Sequence, residues 1–195
     1  GPAAVLTAHE LIVDGNSATN GGGGLVASEQ AQLRMQRDYT DAPAWQCANA
    51  GECSRISNNS VGAGASGTVG GAIALYSHAQ ADLAQTIIRG NTAQDGSVAS
   101  VDTATLRLES VLATKNRAFD TATHSGSALR TQFLIADGPA IVRVAYTTFA
   151  DNVRRDTAGD DVPALDIVAQ QNSQLSIYSS AFYDGPSSVT TYSGY

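Results

Sequence analysis

A formal net charge of −7 over 195 residues argues against a nucleic-acid binder, which needs a basic face, and against docking on an anionic membrane surface. Hydrophobic residues supply 43% of it but aromatics only 6%, and 19 glycines run through it. That excludes a helical bundle and suggests stacked β structure with many turns. No apolar run approaches the roughly 18 residues of a membrane span, so no membrane insertion by this segment is expected. Gly1-Pro2 reads as the remnant of a cleaved tag. Residues 1–5 are therefore a lead-in, and the missing signal peptide carries no weight.

From residue 6 onward one unit recurs: an apolar-x-apolar pair, an apolar-x-x-Asn step, and a small-small-apolar step. The first copy is Leu6/Ala8, Val13-Asp14-Gly15-Asn16 and Gly23-Gly24-Leu25. The second is Leu33/Met35, Ile56-Ser57-Asn58-Asn59 and Gly70-Gly71-Ala72-Ile73. The third is Ala81/Leu83, Ile88-Arg89-Gly90-Asn91 and Gly96-Ser97-Val98. The fourth is Leu106/Leu108, Ala113-Thr114-Lys115-Asn116 and Gly126-Ser127-Ala128-Leu129. The fifth is Val142/Val144, Phe149-Ala150-Asp151-Asn152 and Val162-Pro163-Ala164-Leu165. The sixth opens with Leu175/Ile177 and replaces Asn by Gly in Phe182-Tyr183-Asp184-Gly185.

The leading pair alternates with period two, the mark of a short strand with one buried face. It sits ten and eight positions before the Asn column in every copy but the second, where 16 extra residues intervene. Three short strands per unit of about 25 residues predict an all-β parallel β-helix of about six coils, because one coil cannot bury its inward face alone. Asn16, Asn59, Asn91, Asn116 and Asn152 then stack as an amide ladder at one corner, a corner where Asn also tolerates the left-handed conformation. Residues 6–185 form one domain, interrupted by an insertion at about 39–54, and 186–195 are a tail. The open ends of such a stack expose unpaired backbone. The chain is therefore expected either to be part of a longer one, or to cover its ends with residues 1–5 and 186–195.

"GGAI" at 70–73, "GGGL" at 22–25 and "FADN" at 149–152 resemble the GGA-I and F-x-x-N repeats of polymorphic outer membrane proteins. These are bacterial autotransporter passengers, similar to the wider pectate-lyase-like group of right-handed β-helices. The resemblance implies a right-handed coil and a surface-exposed or secreted, adhesin-like role. Most F positions here are Ile, Val or Ala, and no translocator barrel follows within the chain.

Enzymes of that group use recognisable sets, and these are absent. Asp160-Asp161 has no Gly-His-Gly or Arg-Ile-Lys beside it, whereas glycoside hydrolysis needs an acid to protonate the leaving oxygen and a second to activate water. His9, His78 and His124 fall at three different points of the repeat, with no metal-ligand spacing. No catalytic residue, metal or cofactor is expected. "NNS" at 58–60 matches a glycosylation acceptor but lies on the ladder, and "GGGG" at 21–24 precedes a strand rather than a helix.

Variation collects between the Asn corner and the next strand. Stacking places those connections on one edge, which gathers Asp95, Arg117, Asp120, His124, Arg154, Arg155, Asp156, Asp160 and Asp161. That edge is the candidate contact for a glycan or a partner protein, with Arg154 and Arg155 meeting acidic groups; a merely solvated edge is the other reading. A polysaccharide lyase or glycoside hydrolase, and a plain structural spacer, stay open as alternatives. The two cysteines, Cys47 and Cys53, lie in the insertion. Two ligands make a poor zinc site and the spacing is wrong for C-x-x-C. A small disulfide ring is expected instead, and with it an oxidising, extracytoplasmic compartment.

Overall fold

The computed structural model describes residues 3–35, 53–62, 69–119, 127–132, 138–156, 158–169, 172–183 and 189–191. Its described residues contain strands and turns and no helix, arranged as four sheets of six strands. The first sheet holds the apolar-x-apolar steps, in stacking order Val5–Ala8, Gln32–Met35, Gln80–Ala84, Thr105–Glu109, Ile141–Ala145 and Gln174–Tyr178. The second holds the steps that lead to Asn: Ile12–Asp14, Ser54–Ser57, Thr86–Arg89, Leu112–Thr114, Thr148–Ala150 and Ala181–Phe182. The fourth takes the small-small-apolar steps, from Leu25–Ala27 to Val189–Thr191. Every pairing in these three sheets is parallel and joins a strand to its counterpart in the next circuit of the chain. This is a parallel β-solenoid.

The third sheet corrects the expectation of three strands per circuit. Ser17–Ala18, Ser60–Val61, Thr92–Ala93, Arg117–Phe119 and Val153–Arg155 follow each ladder Asn directly. Strands of two or three residues hold no readable alternation. The sheet ends on Asp161–Pro163, which folds back antiparallel on Val153–Arg155. The insertion is also shorter than expected at its far end, because Ser54 already belongs to the second sheet. The rest of it lies outside the described residues.

The ladder is present. Asn16, Asn59, Asn91 and Asn116 each donate Nδ2 to Oδ1 of the next Asn, at 2.9, 3.0, 3.0 and 3.0 Å. Each backbone N–H in the same series donates to that Oδ1 as well. From Asn59 onward the second Nδ2 hydrogen goes to a carbonyl of the preceding circuit, as from Asn91 to Ile56 O at 2.9 Å. Buried amides are tolerable only when satisfied in this way. Asn152 ends the series with a longer 3.4 Å contact to Asp166 Oδ1.

The left-handed residue at this corner is not the Asn, as expected, but the one before it: Gly15, Asn58, Gly90, Lys115 and Asp151 all have φ between 54° and 70°. The Asn stays free to aim its amide along the stack. The corner between the third and fourth sheets is stricter. At Gly70 (φ 77°) an added Cβ would lie 2.5 Å from Ile73 O, and at Gly96 (φ 63°) 2.6 Å from Ala99 O, so only glycine fits. A row of hydroxyls supports the corner between the first two sheets. Ser54 Oγ accepts from Leu11 N, and Ser180 Oγ accepts from Thr147 N, each at 3.2 Å.

Inward-facing side chains of the sheets close into one aliphatic core, from Leu33 and Met35 through Leu106 and Leu108 to Ile167. Phe149 and Phe182 stack at 5.3 Å and 9° at its far end. Cys53 is buried just ahead of the Ser54–Ser57 strand, and no described cysteine is free. Its expected partner Cys47 lies outside the described residues.

Candidate binding groove at the loop edge

The predicted edge divides in the structure. Arg117, on the third sheet, pairs with the Asp161 carboxylate across the antiparallel hairpin and lies 5.8 Å from the Phe119 ring centroid. The hairpin turn is built by its own side chains. Asp156 Oδ1 accepts from the N–H groups of Ala158 and Asp160, both at 2.9 Å, and Arg155 Nε donates to Gly159 O at 2.9 Å. Gly159 takes the left-handed position there, with φ 91°. The described residues of this stretch, 153–156 and 158–162, therefore belong to a hairpin, and Asp156 shapes it rather than facing a ligand. Arg154 is half-buried in the strand, in register with Ala118, while Arg155, Asp160 and Asp161 are exposed. Asp120 and His124 lie outside the described residues.

Asp95 does not belong to the exposed edge. It is 1% exposed. Its Oδ1 accepts from Ser127 N at 2.8 Å, Ser127 Oγ at 2.5 Å and Gly96 N at 2.9 Å. Its Oδ2 lies 3.6 Å from Arg130 Nη1. The carboxylate fastens the point where the chain rejoins the stack, so its role is structural.

Beside the hairpin is an open groove of about 440 Å³, lined by Asp151, Asn152, Val153, Asp161, Val162, Pro163 and Tyr183. Local geometry positions each group. Asp151 holds the left-handed corner (φ 55°), Asp161 is clasped by Arg117, and Tyr183 lies just beyond the last strand of the second sheet, 74% exposed. Tyr183 and Asp151 were not expected at the site. Their places in the repeat gave no signal: Asp151 stands one position and Tyr183 two positions ahead of the Asn column, where other copies carry residues as different as Gly15, Asn58, Lys115, Asp14, Ser57 and Arg89.

An exposed ring, a proline and two carboxylates offer a stacking surface with hydrogen-bond acceptors, the elements that hold a sugar. The groups with shifted protonation lie elsewhere. Ser57 and Asn58, donating to the Asp14 carboxylate, hold it below the usual range, and nearby Arg55 adds to this. Burial raises the Tyr76 phenol. Among the described residues no cluster of His, Cys, Asp and Glu could hold a metal. No protein-family model, curated protein or solved structure matches the chain.

Proposed function

We propose that the chain is a right-handed parallel β-helix of about six coils that serves as a non-catalytic, adhesin-like binding module. It is secreted or exposed at a bacterial surface and takes a glycan, or a partner protein, on its loop edge. The observation that carries this reading is the groove in which Tyr183, Pro163, Asp151 and Asp161 converge. A pyranose ring stacks on Tyr183 while its hydroxyls donate to the carboxylates, and Arg155 at the rim meets an acidic substituent. A rigid stack of paired strands keeps these groups in place without ligand, which favours binding.

A glycan array with the full chain tests it. Tyr183→Ala and Asp151→Asn should each weaken the selected ligand about tenfold, or roughly 1.4 kcal/mol. Unchanged binding in both variants refutes the groove as the site. The enzymatic alternative, a polysaccharide lyase or glycoside hydrolase, draws support from Asp151 and Asp161 sharing one groove. Against it, the Asp161 carboxyl is already engaged by Arg117 across the hairpin, which leaves it less free to reach a glycosidic oxygen. A depolymerisation assay on the array's hits separates the two: the binding module releases no sugar, and product that disappears in Asp161→Asn establishes the enzyme.

A further inference from the structure

The outer faces of the first two sheets carry a charge pattern opposite to that of the chain. Acids outnumber Lys and Arg 18 to 11 overall. Yet the strands of these sheets hold Arg34, Arg55, Arg89, Arg107 and Arg143 against only Asp14, Asp82 and Glu109. On the first sheet the parallel register aligns three of the arginines in one outward column: Thr7, Arg34, Asp82, Arg107, Arg143, Ser176. Column neighbours are one strand spacing apart, about 4.8 Å, so Arg107 and Arg143 are adjacent and Arg34 lies about 10 Å beyond Arg107.

All three guanidinium groups face water. Arg34 bonds Gln32 at 2.9 Å and Arg107 bonds Glu109 at 2.5 Å, while Arg143 has no ion-pair partner among the described residues. Exposed contacts of this kind contribute no more than about 1 kcal/mol, so an arriving anion displaces them.

An aromatic rim adjoins the column. Tyr178 lies opposite Ala145, two residues past Ser176 on the same face, and is 62% exposed. It is a diagonal neighbour of Arg143 and within reach of the same ligand. Tyr146, 64% exposed, occupies the adjoining corner at φ 51°. A bulky residue in the left-handed region is uncommon and costs energy there.

We propose that this face binds a linear sulfated polysaccharide, with sulfate groups on Arg34, Arg107 and Arg143 and sugar rings against Tyr178. Guanidinium forks match tetrahedral oxyanions with paired hydrogen bonds. The degree of sulfation matters because Glu109 already gives Arg107 a carboxylate. A polymer with one carboxylate per repeat offers Arg107 nothing new, whereas several sulfates per repeat engage the column together. The face lies on different sheets from the hairpin groove and does not depend on a ligand there.

Titration of the full chain with a heparin octasaccharide, with hyaluronan and dextran in parallel, tests it. Heparin should bind with an affinity that falls steeply with salt. Dextran should not bind, and hyaluronan should bind at least about tenfold more weakly. Arg143→Gln should weaken heparin about fivefold, and the triple variant R34Q/R107Q/R143Q at least about thirtyfold. Asp82→Asn should tighten it about threefold, whereas Glu29→Gln, the same charge change outside the face, should stay within about twofold. Four results each overturn the proposal: no heparin binding, unchanged binding in the triple variant, equal tightening by Glu29→Gln and Asp82→Asn, or hyaluronan as tight as heparin.

Discussion

Replacing Asn91 by Ala removes the middle of the ladder. Its side chain accepts from Asn59 N and Asn59 Nδ2, both at 3.0 Å, and donates to Ile56 O at 2.9 Å and Asn116 Oδ1 at 3.0 Å. Buried hydrogen bonds contribute about 1 kcal/mol each, and the orphaned Asn59 N–H adds a desolvation cost. Asn91→Ala should therefore cost about 4 kcal/mol, a large part of the 5–15 kcal/mol of a typical domain, roughly. Asn16 supplies the contrast: it is exposed, and its amide makes one ladder bond and a 3.3 Å bond to Asp14 O. Asn16→Ala should cost about 1 kcal/mol. Urea unfolding followed by far-UV circular dichroism reads the difference. With a slope of about 3 kcal/mol per molar, the two midpoints should separate by about 1 M. Asn91→Asp is a stricter control, since it keeps the acceptor but turns the donor into a second oxygen facing Ile56 O and Asn116 Oδ1; it should be worse than Ala. Equal midpoints for Asn16→Ala and Asn91→Ala would refute the view that the ladder stabilises the stack.

Gly70→Ala and Gly96→Ala should each cost more than the about 1–2 kcal/mol of a left-handed alanine, because the new methyl meets a carbonyl; Gly15→Ala, with nothing within 4 Å, should cost only that strain. Thermal midpoints of the three variants check the order. Asp95→Ala should cost about 3–5 kcal/mol, as it strands Arg130 in a buried site, while the double variant D95A/R130M should recover part of the loss; urea midpoints decide it. The raised Tyr76 phenol contributes stability that is complete below pH 10.0 and lost as pH rises through its folded value. Tyr76→Phe should therefore lose less stability than the parent as pH rises above 10.0. The Cys47–Cys53 ring should leave the mass unchanged on alkylation without reductant, and Cys53→Ser should cost about 2 kcal/mol; two alkylated thiols would contradict it.

Sequence reading reached the ladder and the first sheet because each rests on a residue type at a fixed offset. Asn at one column needs no context, and Leu106/Leu108 or Val142/Val144 state their buried face outright. The third sheet escaped because Ser17–Ala18 and Thr92–Ala93 are too short to show a period. The hydroxyl row was legible but unread: Ser54, Thr86, Thr147 and Ser180 all fall five positions before the Asn column. Asp95 was misplaced because a carboxylate beside a glycine reads as a solvated turn, and only the stack reveals that Ser127 and Arg130 enclose it. The groove was half legible. Asp161 followed from edge reasoning, but Tyr183 becomes a site residue only when the hairpin folds back toward it.

The hydrogen bonds of the amide ladder all run one way, from Asn16 toward Asn152. Parallel strands send their backbone bonds in both directions and largely cancel, but five aligned side-chain amides do not. They form a column of dipoles, with its oxygen pole at Asn16 and its hydrogen pole at Asn152, much as peptide units add along a helix. At the hydrogen pole lies Asp166, a buried acid in a row otherwise held by Gly24, Ala72, Val98 and Ala128. The Asp166 carboxyl takes up the last amide hydrogen much as a capping side chain takes up a helix N–H, so the amide column closes one circuit before the last described strands.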